Sequence, residues 1–584
     1  MLVTEATAIL YFKNDAVQYL KDRPAVKAVY PLTPDAKATV LNNTALPLRD
    51  PLRVFTDYSH RRVVASVRAQ EKSLHPIINN LNGVSFAGKQ ALISLLHCSL
   101  SSCYYIRYML RGMGPWLIYN GKDWAKIECL DSATNILLQR IIEKRSGIFK
   151  TKQGTYVIGK KIVNLLHLLI TLKIKNKKCI FLTGLEYGLD HLSRKIQLAD
   201  EDVWIVCITR SDNKSLLRLL KSLAYLYLPF FSKRPIKICP VQTKVEDRLG
   251  IFFSSKEYGS IPFNTLIKKF LINNVTYSES ISDAMGAIVR DIKPVCIIAH
   301  HLRWLDAISL GQCASHLGVR TYLISHGSQA LPENLTSRYE LKDVCWGLCV
   351  SPFATKAIAQ SPIAEKTINA FMPKLPVEKY KPIMWGYKKI DLDRKTKTRK
   401  FRILHCGTYK VLGSRPWINE TSNEFVNGLQ HLAGVISDID NVELVIRIRG
   451  NDECELSSLK SLLPKSNNCR IKADGSFYDD LAQADLLISF SSTTIEEALN
   501  ARKPVALFGG SDRYRHLPGS SRPPAGNNRS AVYHLAADNM TEMLTAIKDF
   551  HINKPLTEKE ITDYVWPKSV PGQDRFVSEV LSIN

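Results

Sequence analysis

Four consecutive hydroxyl residues stand between a short apolar run and a helical pattern late in the chain. The apolar run, Leu486–Phe490, predicts a buried parallel strand, and Ile495–Asn500 predicts the helix that follows. A helix that begins at the carboxyl end of a sheet offers unpaired N–H groups and a partial positive charge, which favour an anion such as a nucleotide phosphate. The hydroxyl groups would add donors at the same place; they belong to Ser491, Ser492, Thr493 and Thr494.

Two acidic residues, Glu496 and Glu497, lie in the first turn of this predicted helix. Their carboxylates are placed to accept hydrogen bonds from sugar hydroxyls beside a bound phosphate. The same residues also have a purely structural interpretation, because Thr493 and Glu496 have the spacing of a capping box, which any helix can use. A second strand, Pro504–Phe508, then completes a βαβ unit. Neither interpretation is excluded by this stretch alone.

A second signal lies about 165 residues upstream, where the predicted strand Thr321–Ser325 ends in His326-Gly327-Ser328. This places an imidazole at the carboxyl edge of a sheet, and the glycine lets a ligand approach the backbone closely. Histidine is the usual proton carrier near neutral pH. A lone histidine at such an edge can equally be a structural residue that donates to a carbonyl group.

Taken together, the His-Gly-Ser turn and the stretch SSTTIEEALNARKPVALFG resemble glycosyltransferases of the GT-B fold. They are most similar to bacterial capsule and lipopolysaccharide enzymes that use CMP-activated ulosonic sugars, namely Kdo transferases and sialyl- or polysialyltransferases. Those enzymes hold CMP with a histidine motif, often His-Pro, and a Ser-Ser/Thr motif. This chain has His-Gly instead, as CDP-glycerol-type transferases do. The resemblance covers roughly residues 290–515, and residues 1–150 resemble no family.

The resemblance implies a role for each matching position. His326 would donate to the donor phosphate and stabilise the leaving nucleotide, while Ser491, Ser492 and Thr493 would cradle that phosphate. Donors placed where charge develops contribute most to such a reaction. Glu497, or alternatively Glu496, would bind the ribose hydroxyls. The predicted sugar-nucleotide site is completed by Gly327, Ser328, Gly407, Thr408, Lys410, Arg449 and Thr494, of which Lys410 and Arg449 can equally be solvated surface groups.

The base that activates the acceptor hydroxyl is expected on the first large domain, facing the donor. The first candidate is Asp306, shortly after the predicted strand Val295–Ala299, followed by Glu186 and Asp190 in the stretch GLEYGLDH. Each is also explained as an acid at a helix N-terminus, where the helix dipole favours it. His326 completes the set of candidate catalytic residues. No Asp-x-Asp motif lies near the site, so the sequence predicts metal-independent chemistry without a cofactor.

The elements that carry these residues alternate between short apolar strands and helical patterns, which is typical of α/β proteins. The predicted fold class is two doubly wound, Rossmann-like parallel sheets facing a cleft, with an extra N-terminal α/β region. The predicted divisions are an accessory region at 1–150, an acceptor-side domain at 151–385, a nucleotide-sugar-binding domain at 386–560 and a tail at 561–584. Among the less regular stretches, the patterns predict strands at Arg53–Tyr58 and Val344–Val350, a helix at Phe86–Leu110 and a linker over 372–400.

The net charge of the chain indicates which class of partner to expect. The 584 residues carry 79 lysines and arginines against 54 aspartates and glutamates, a net charge of +25, which predicts an acidic partner. The basic residues are spread along the chain and no nucleic-acid-binding motif occurs, so nucleic acid is not expected. The 13 cysteines are scattered, and several lie in apolar runs, which predicts buried thiols.

No apolar run is long enough to span a bilayer, and the N-terminus lacks a signal-peptide pattern. The stretch Ser215–Arg234 mixes leucines, aromatics and basic residues, as interfacial helices do, although a helix packed on a sheet explains it as well. The sequence therefore predicts a cytoplasmic protein, free or peripheral on the inner face of the cytoplasmic membrane. Its expected partners are a CMP-activated sugar and a glycan or lipid-linked acceptor.

Three functional classes remain open on the sequence. The first is a glycosyltransferase that moves a Kdo- or sialic-acid-type sugar from a CMP donor in surface polysaccharide synthesis. The second is another enzyme on the same architecture, either a CDP-polyol phosphotransferase, a UDP-sugar-using transferase or a 2-epimerase. The third is a nucleotide- or glycan-binding protein without turnover.

Overall fold

The computed structural model describes most of the chain, and every structural statement below concerns these described residues. They are 5–53, 56–81, 84–146, 166, 168–184, 188–208, 215–227, 235–238, 281–385, 400–407, 409, 415, 417–448, 453–526, 529–552 and 554–583. Within them the strands form three β-sheets, one in the N-terminal region and one in each of two larger lobes.

The N-terminal region, residues 5–146, has a four-stranded sheet in the order β2-β1-β3-β4, in which only β4 runs antiparallel to its neighbour. Two long helices, α3 and α4, pack against each other beside this sheet. The elements are β1 (Thr7–Leu10), α1 (Lys13–Asp22), β2 (Ala28–Pro31), α2 (Pro34–Val40), α3 (Asp57–Asn79), α4 (Phe86–Leu110), β3 (Trp116–Tyr119), β4 (Trp124–Ile127) and α5 (Leu130–Ser146).

The strand predicted at Arg53–Tyr58 is wrong. Residues Pro51–Arg53 form a 3-10 turn, and α3 starts at Asp57. The hydroxyl of Thr56 accepts a hydrogen bond from the backbone N–H of Ser59, which caps the helix. This local cap, together with the long apolar face that follows it, outweighs the β-branched and aromatic residues that favoured a strand.

The first lobe contains a seven-stranded, fully parallel sheet in the order β11-β10-β9-β8-β5-β6-β7. Alternate residues of its strands face two separate apolar cores, so helices cover both faces. The elements are α6 (168–174), β5 (Cys179–Leu182), α7 (Leu189–Ala199), β6 (Trp204–Ile208), α8 (Ser215–Tyr227), β7 (Ile236–Ile238), α9 (281–292), β8 (Cys296–Ala299), α10 (Leu305–His316), β9 (Arg320–Ile324), α11 (Leu335–Cys345), β10 (Lys356–Ala359), α12 (Pro362–Phe371) and β11 (Val377–Lys379).

Two sequence predictions for the end of this lobe need correction. The strand predicted at Val344–Val350 is wrong, since α11 continues to Cys345 and a turn follows. The apolar residues of that stretch are buried or partly buried against the neighbouring elements without joining the sheet. The predicted linker over 372–400 contains β11, which pairs in parallel with β10; residues 386–399 lie outside the described residues.

The second lobe contains a six-stranded, fully parallel sheet in the order β14-β13-β12-β15-β16-β17, again with an apolar core on each face. The elements are β12 (Phe401–Cys406), α13 (Ser422–Ser437), β13 (Val442–Arg447), α14 (Leu456–Leu462), β14 (Cys469–Lys472), α15 (Phe477–Gln483), β15 (Leu486–Ser489), α16 (Thr494–Asn500), β16 (Val505–Leu507), β17 (Val532–His534), α17 (Met540–His551), α18 (Glu558–Ile561) and α19 (Gln573–Leu581).

The predicted fold class is confirmed: the chain has two Rossmann-like parallel sheets and an additional N-terminal α/β region. The C-terminal helix α19 returns to the first lobe, where Phe576, Val577 and Val580 join one of its apolar cores. The residues at 571–583 are therefore more than the tail that their position in the sequence indicated.

The N-terminal region contacts both lobes. Towards the first lobe, the backbone N–H of Ala87 donates to Gln312 Oε1 at 2.8 Å. Towards the second lobe, the Tyr11 hydroxyl donates to Glu453 at 2.6 Å, and the backbone N–H of Glu455 donates to Asp35 at 2.7 Å. Because one compact region is attached to both lobes, it limits how far they can move apart.

None of the helices in the described part of the chain is long and apolar enough to cross a membrane. The stretch Ser215–Arg234, for which an interfacial helix and a helix packed on a sheet were both open, contains α8, which packs Leu219 and Leu226 into the core beneath the seven-stranded sheet. Leu217 and Leu220 on the same helix are 53% and 47% exposed. Residues 228–234 of that predicted segment lie outside the described residues.

Cysteines predicted to be buried are buried as free thiols. Cys179, Cys207, Cys296 and Cys406 all lie inside strands of the two large sheets. Burial raises the pKa of the Cys179 and Cys296 thiols to about 12, so both stay protonated at neutral pH. These thiols therefore act as small apolar core residues.

Candidate functional site

The His-Gly-Ser turn lies at the carboxyl edge of the first lobe, directly after β9. The backbone N–H of His326 donates to the carbonyl of Leu348 at 3.0 Å, and the imidazole is half-buried. Directly after the neighbouring strand β8, His300 Nδ1 lies 3.2 Å from the Thr183 hydroxyl. Burial and the nearby His326 lower the pKa of His300 to about 3, so His300 is neutral near pH 7. Several polar side chains thus converge on this edge.

The other side of the turn is fixed by β10 and α12. The Ser328 and Ser361 hydroxyls are 2.9 Å apart, and Ser361 also caps α12 by accepting from the Ala364 N–H. Gln360 donates through Nε2 to the carbonyl of Ser325 at 2.7 Å. These bonds hold the backbone on both sides of His326. Neither Gln360 nor Ser361 belongs to a sequence motif, and only the adjacency of β9 and β10 reveals them.

The hydroxyl row lies at the carboxyl edge of the second lobe, between β15 and α16. Ser491, Ser492, Thr493 and Thr494 are all half-buried. The backbone N–H of Thr494 donates to the Ser492 hydroxyl at 3.4 Å, while Thr493 makes no side-chain cap bond. The capping-box interpretation is therefore wrong. The Glu496 carboxylate instead accepts a hydrogen bond from the first lobe.

The two turns meet across the lobes. Gly327 has φ +83°, and a Cβ atom there would lie 3.4 Å from Glu496 Oε1 and 3.5 Å from Thr493 Cγ2. The backbone N–H of Ser328 donates to Glu496 Oε1 at 2.6 Å, joining residues 168 positions apart in the chain. A glycine is favoured here because its φ lies in the left-handed region, which residues with a side chain rarely adopt; a Cβ atom would make only ordinary contacts with the second lobe. The two stretches singled out in the sequence are thus in direct contact.

Glu496 is deeply buried, with 4% of its surface exposed. Its Oε1 also lies 3.2 Å from His516 Nε2. Burial opposes ionisation, but the hydrogen bonds from His516 and from the Ser328 amide outweigh it and lower the pKa of Glu496. The adjacent Glu497 is half-buried. His516 was missed in the sequence, since nothing in the stretch DRYRHLPG distinguishes it from a surface histidine.

A further set of contacts joins the lobes through α11. The Glu340 carboxylate accepts from the backbone N–H groups of Trp417 and Ile418, at 2.9 and 3.2 Å. Asp343, one turn later, forms an ion pair with Arg415. Burial raises the pKa of Glu340 to about 7 despite the two amide donors. These acids connect the lobes beside the candidate site, and no short motif marks them.

Other predicted binding residues lie at the same edge or beyond the described residues. Gly407 follows β12, and a Cβ there would be 2.9 Å from the Phe425 ring. Packing therefore suffices to explain this glycine. Thr408, Lys410 and Arg449 lie outside the described residues.

The candidate catalytic acids occupy two different loops of the first lobe. Asp306 lies in the first turn of α10, half-buried and six residues after His300. Asp190 lies in the first turn of α7 and is exposed, and Glu186 is outside the described residues. Both described acids therefore follow strands that end at the edge carrying His326. Among the described residues, no group of three His, Cys, Asp or Glu side chains is placed to hold a metal ion.

A cavity of about 360 Å³ opens at the carboxyl ends of β16 and β17, on the α13 side. None of the predicted site residues lines it. It is connected to the hydroxyl row through the backbone, since the N–H of Phe508 donates to the carbonyl of Ser489. The cavity is lined by Asn427, Gly428, Gln430, His431, Phe508, Gly509, Gly510, Ser511, Asp512 and Ala537.

Glu420 lies buried beside this loop, where its Oε1 accepts from the Gly510 N–H at 2.8 Å. Burial raises its pKa from 4.5 to about 8. Between these values the folded protein keeps a proton that the unfolded chain releases, so this group makes stability fall as pH rises.

We expect Glu420→Gln to remove that dependence. The free energy of unfolding of the variant, relative to the unmodified protein, should rise between about pH 5 and pH 8 by on the order of a few kcal/mol. Urea unfolding at several pH values measures this difference. Glu542→Gln, at an exposed position on α17, is the control. A difference that stays constant with pH would contradict the assignment.

Comparisons with solved structures find matches at low identity and low TM-score. UDP-GlcNAc 2-epimerase from Neisseria meningitidis, bound to UDP-GlcNAc, is 12% identical with a TM-score of 0.39, covering 70% of this chain and 99% of that chain. The Methanocaldococcus jannaschii UDP-GlcNAc 2-epimerase is 12% identical with a TM-score of 0.38, covering 69% and 99%. Anabaena Alr3699/HepE in complex with UDP-glucose is 12% identical with a TM-score of 0.37, covering 70% and 100%.

No protein-family model matches the sequence, and no curated protein matches it.

Proposed function

We propose that this chain is a glycosyltransferase that binds a nucleotide-activated sugar between its two lobes and transfers the sugar to a glycan acceptor. The observation that supports this is the direct contact between the His-Gly-Ser turn and the hydroxyl turn. Ligands of open parallel sheets bind at the carboxyl ends of the strands, and both turns occupy such ends. Two sheet edges that meet in this way can close on one nucleotide.

In this proposal both turns bind the phosphate of the donor, each from its own lobe. Ser491, Ser492 and Thr493 donate hydrogen bonds to the phosphate, and His326 donates to it from the opposite lobe. The acceptor hydroxyl loses its proton to Asp306, with Asp190 and Glu186 as the other candidates. Transfer breaks the bond between the sugar and the phosphate oxygen, forms a bond to the acceptor oxygen, and leaves the negative charge on the nucleotide. Donors held in place before the reaction stabilise that charge best.

Two observations bear on the identity of the nucleotide, and they favour different donors. The Ser-Ser-Thr-Thr row supports a CMP-activated ulosonic donor, through its resemblance to Kdo and sialic acid transferases. Gly327 favours a CDP-polyol, because CDP-glycerol-type transferases also have His-Gly at this turn. Proline has φ near −65°, so a His-Pro turn cannot take the φ of +83° found at Gly327. The second candidate function is a CDP-linked enzyme on the same site, with a UDP-sugar-using enzyme of the same architecture as the further alternative.

Isothermal titration with CMP, CDP and UDP separates these candidates. Binding of CMP alone supports the ulosonic donor, while binding of UDP or CDP without CMP supports the second candidate. Failure of all three nucleotides to bind would overturn the sugar-nucleotide proposal. Binding without transfer to extracts of lipid-linked glycan would instead indicate a binding protein.

The two turns give a matched pair of variants for that titration. Ser492→Ala and His326→Ala should each weaken binding of the nucleotide by about 1.5–3 kcal/mol, roughly 10- to 150-fold, because each removes one hydrogen bond to a charged group. Ser461→Ala, exposed on α14 of the same lobe, is the control and should bind normally. Thermal unfolding should be similar in all three proteins. Normal binding in both site variants would place the nucleotide elsewhere.

A further inference from the structure

Two adjacent glutamates on α16 have different surroundings. Glu496 is 4% exposed and holds two groups of the protein itself, the Ser328 amide at 2.6 Å and His516 Nε2 at 3.2 Å. Glu497 is half-buried. Consecutive residues of a helix point about 100° apart, so the two carboxylates face different directions.

The contacts of Glu496 span the lobes. Its helix belongs to the second lobe, whereas the Ser328 amide belongs to the turn that carries His326 in the first. His516 is 3% exposed, and its Nδ1 lies 3.5 Å from the Tyr514 hydroxyl, so the ring is held from both sides. A buried carboxylate that accepts two hydrogen bonds is costly to separate from its partners.

We infer that Glu496, oriented by His516, is a latch that positions the His-Gly-Ser turn against the hydroxyl turn, and that Glu496 is therefore not the residue that contacts the ribose hydroxyls. The second half of this inference rests on the proposed function, while the first half does not. Glu496 and His516 are positioning residues, because they act on the site through the Ser328 backbone. The latch explains why a chain with two adjacent glutamates buries one of them completely at the junction of the lobes.

The latch is tested first without any ligand, by hydrogen–deuterium exchange of the full chain. In Glu496→Ala the amides of 326–328 should exchange about tenfold faster or more, since the Ser328 N–H loses its acceptor. Glu496→Gln keeps an acceptor oxygen and should show a smaller increase, as should His516→Gln. Glu497→Gln is the matched control and should exchange like the unmodified protein in this segment.

Two results would overturn the latch. One is unchanged exchange at 326–328 in Glu496→Ala. The other is a uniform increase that includes the core strand β12, because that would show general destabilisation rather than local release.

The assignment of the ribose contact is tested by comparing CMP with 2′,3′-dideoxy-CMP, or the corresponding UMP pair when uridine nucleotides bind. Glu496→Ala should weaken both nucleotides by the same factor and keep the ratio of the two dissociation constants. Glu497→Ala, at the position to which the resemblance gives the ribose contact, should bring that ratio close to one. Loss of the ratio in Glu496→Ala, with the ratio kept in Glu497→Ala, would reverse the assignment.

The exchange test and the nucleotide test can give negative results independently of each other. When neither nucleotide binds the unmodified protein, the proposed function and the ribose assignment are overturned, while the exchange result still decides the latch.

Discussion

Replacing Arg513 by methionine should lower the free energy of unfolding by about 3–5 kcal/mol. Arg513 Nη1 donates to Glu424 Oε1 at 2.6 Å, and the two side chains are only 2% and 4% exposed. Burial opposes the charge on Glu424, but Arg513 and His60 outweigh it and hold the pKa of Glu424 at about 2. Without the arginine, a buried carboxylate would lose its main compensating charge.

His60 does not supply that charge in the unmodified protein. It lies 3.3 Å from Glu424 Oε1, but burial lowers the pKa of His60 below its usual value of 6.5, so the ring carries little charge at neutral pH. Arg513 also lies 3.6 Å from Asp57, whose negative charge would repel Glu424 rather than compensate it. His60 and Asp57 both belong to α3. The predicted loss of stability therefore arises where the N-terminal region contacts the second lobe.

Urea unfolding of three variants measures the effect. Glu424→Gln together with Arg513→Met should be closer in stability to the unmodified protein than Arg513→Met alone, because no uncompensated charge remains. Arg470→Met, on an exposed edge strand, is the control and should change stability by less than about 0.5 kcal/mol. A loss below about 1 kcal/mol in Arg513→Met would contradict the assignment of Glu424 as a buried charged group.

Asp306→Asn should reduce turnover by about 10²- to 10⁴-fold while leaving nucleotide binding within about twofold of normal. Asn has nearly the same shape but cannot take a proton from the acceptor hydroxyl. Asp306 lies half-buried in the first turn of α10. The segment before this helix carries His300, whose pKa is lowered by burial and by the nearby His326. The acid therefore lies at the start of a helix that follows directly from the edge carrying His326.

Turnover is measured as release of nucleotide from the donor identified by titration, in the presence of an extract of lipid-linked glycan. Asp291→Asn, exposed at the end of α9 before β8 begins, is the control and should retain normal turnover. Substantial remaining activity in Asp306→Asn would transfer the role to Asp190 or Glu186, which can be replaced in the same way.

The sequence determined most of the local elements of this protein. The helix Phe86–Leu110 was predicted with the bounds that the structure has, and the strands predicted at Thr321–Ser325 and Leu486–Phe490 lie within one residue of the bounds of β9 and β15. These elements depend on periodicity, apolar runs and the residues at their ends, all of which are local in the chain. The alternation of strands and helices also predicted two parallel sheets, because parallel strands need long crossover connections.

The sequence also identified the two turns that meet, because each follows an apolar strand and interrupts it with polar residues. It did not identify the partners of those turns. Glu496 suited a capping box as well as a ligand contact, and only its contact with Ser328, 168 residues away, decided between local capping and a bridge. His516 had no recognisable spacing to either turn.

Tertiary packing alone decided the contacts that connect the three parts of the chain. Glu424, His60 and Arg513 come from three distant segments, and Glu340 accepts from amides 77 and 78 residues away. A polar residue in a sequence carries no mark of which buried partner will satisfy it, because that partner is chosen by how whole elements pack. Local patterns therefore determined the strands, helices and turns, and the burial of charged groups between them determined how the turns are brought together.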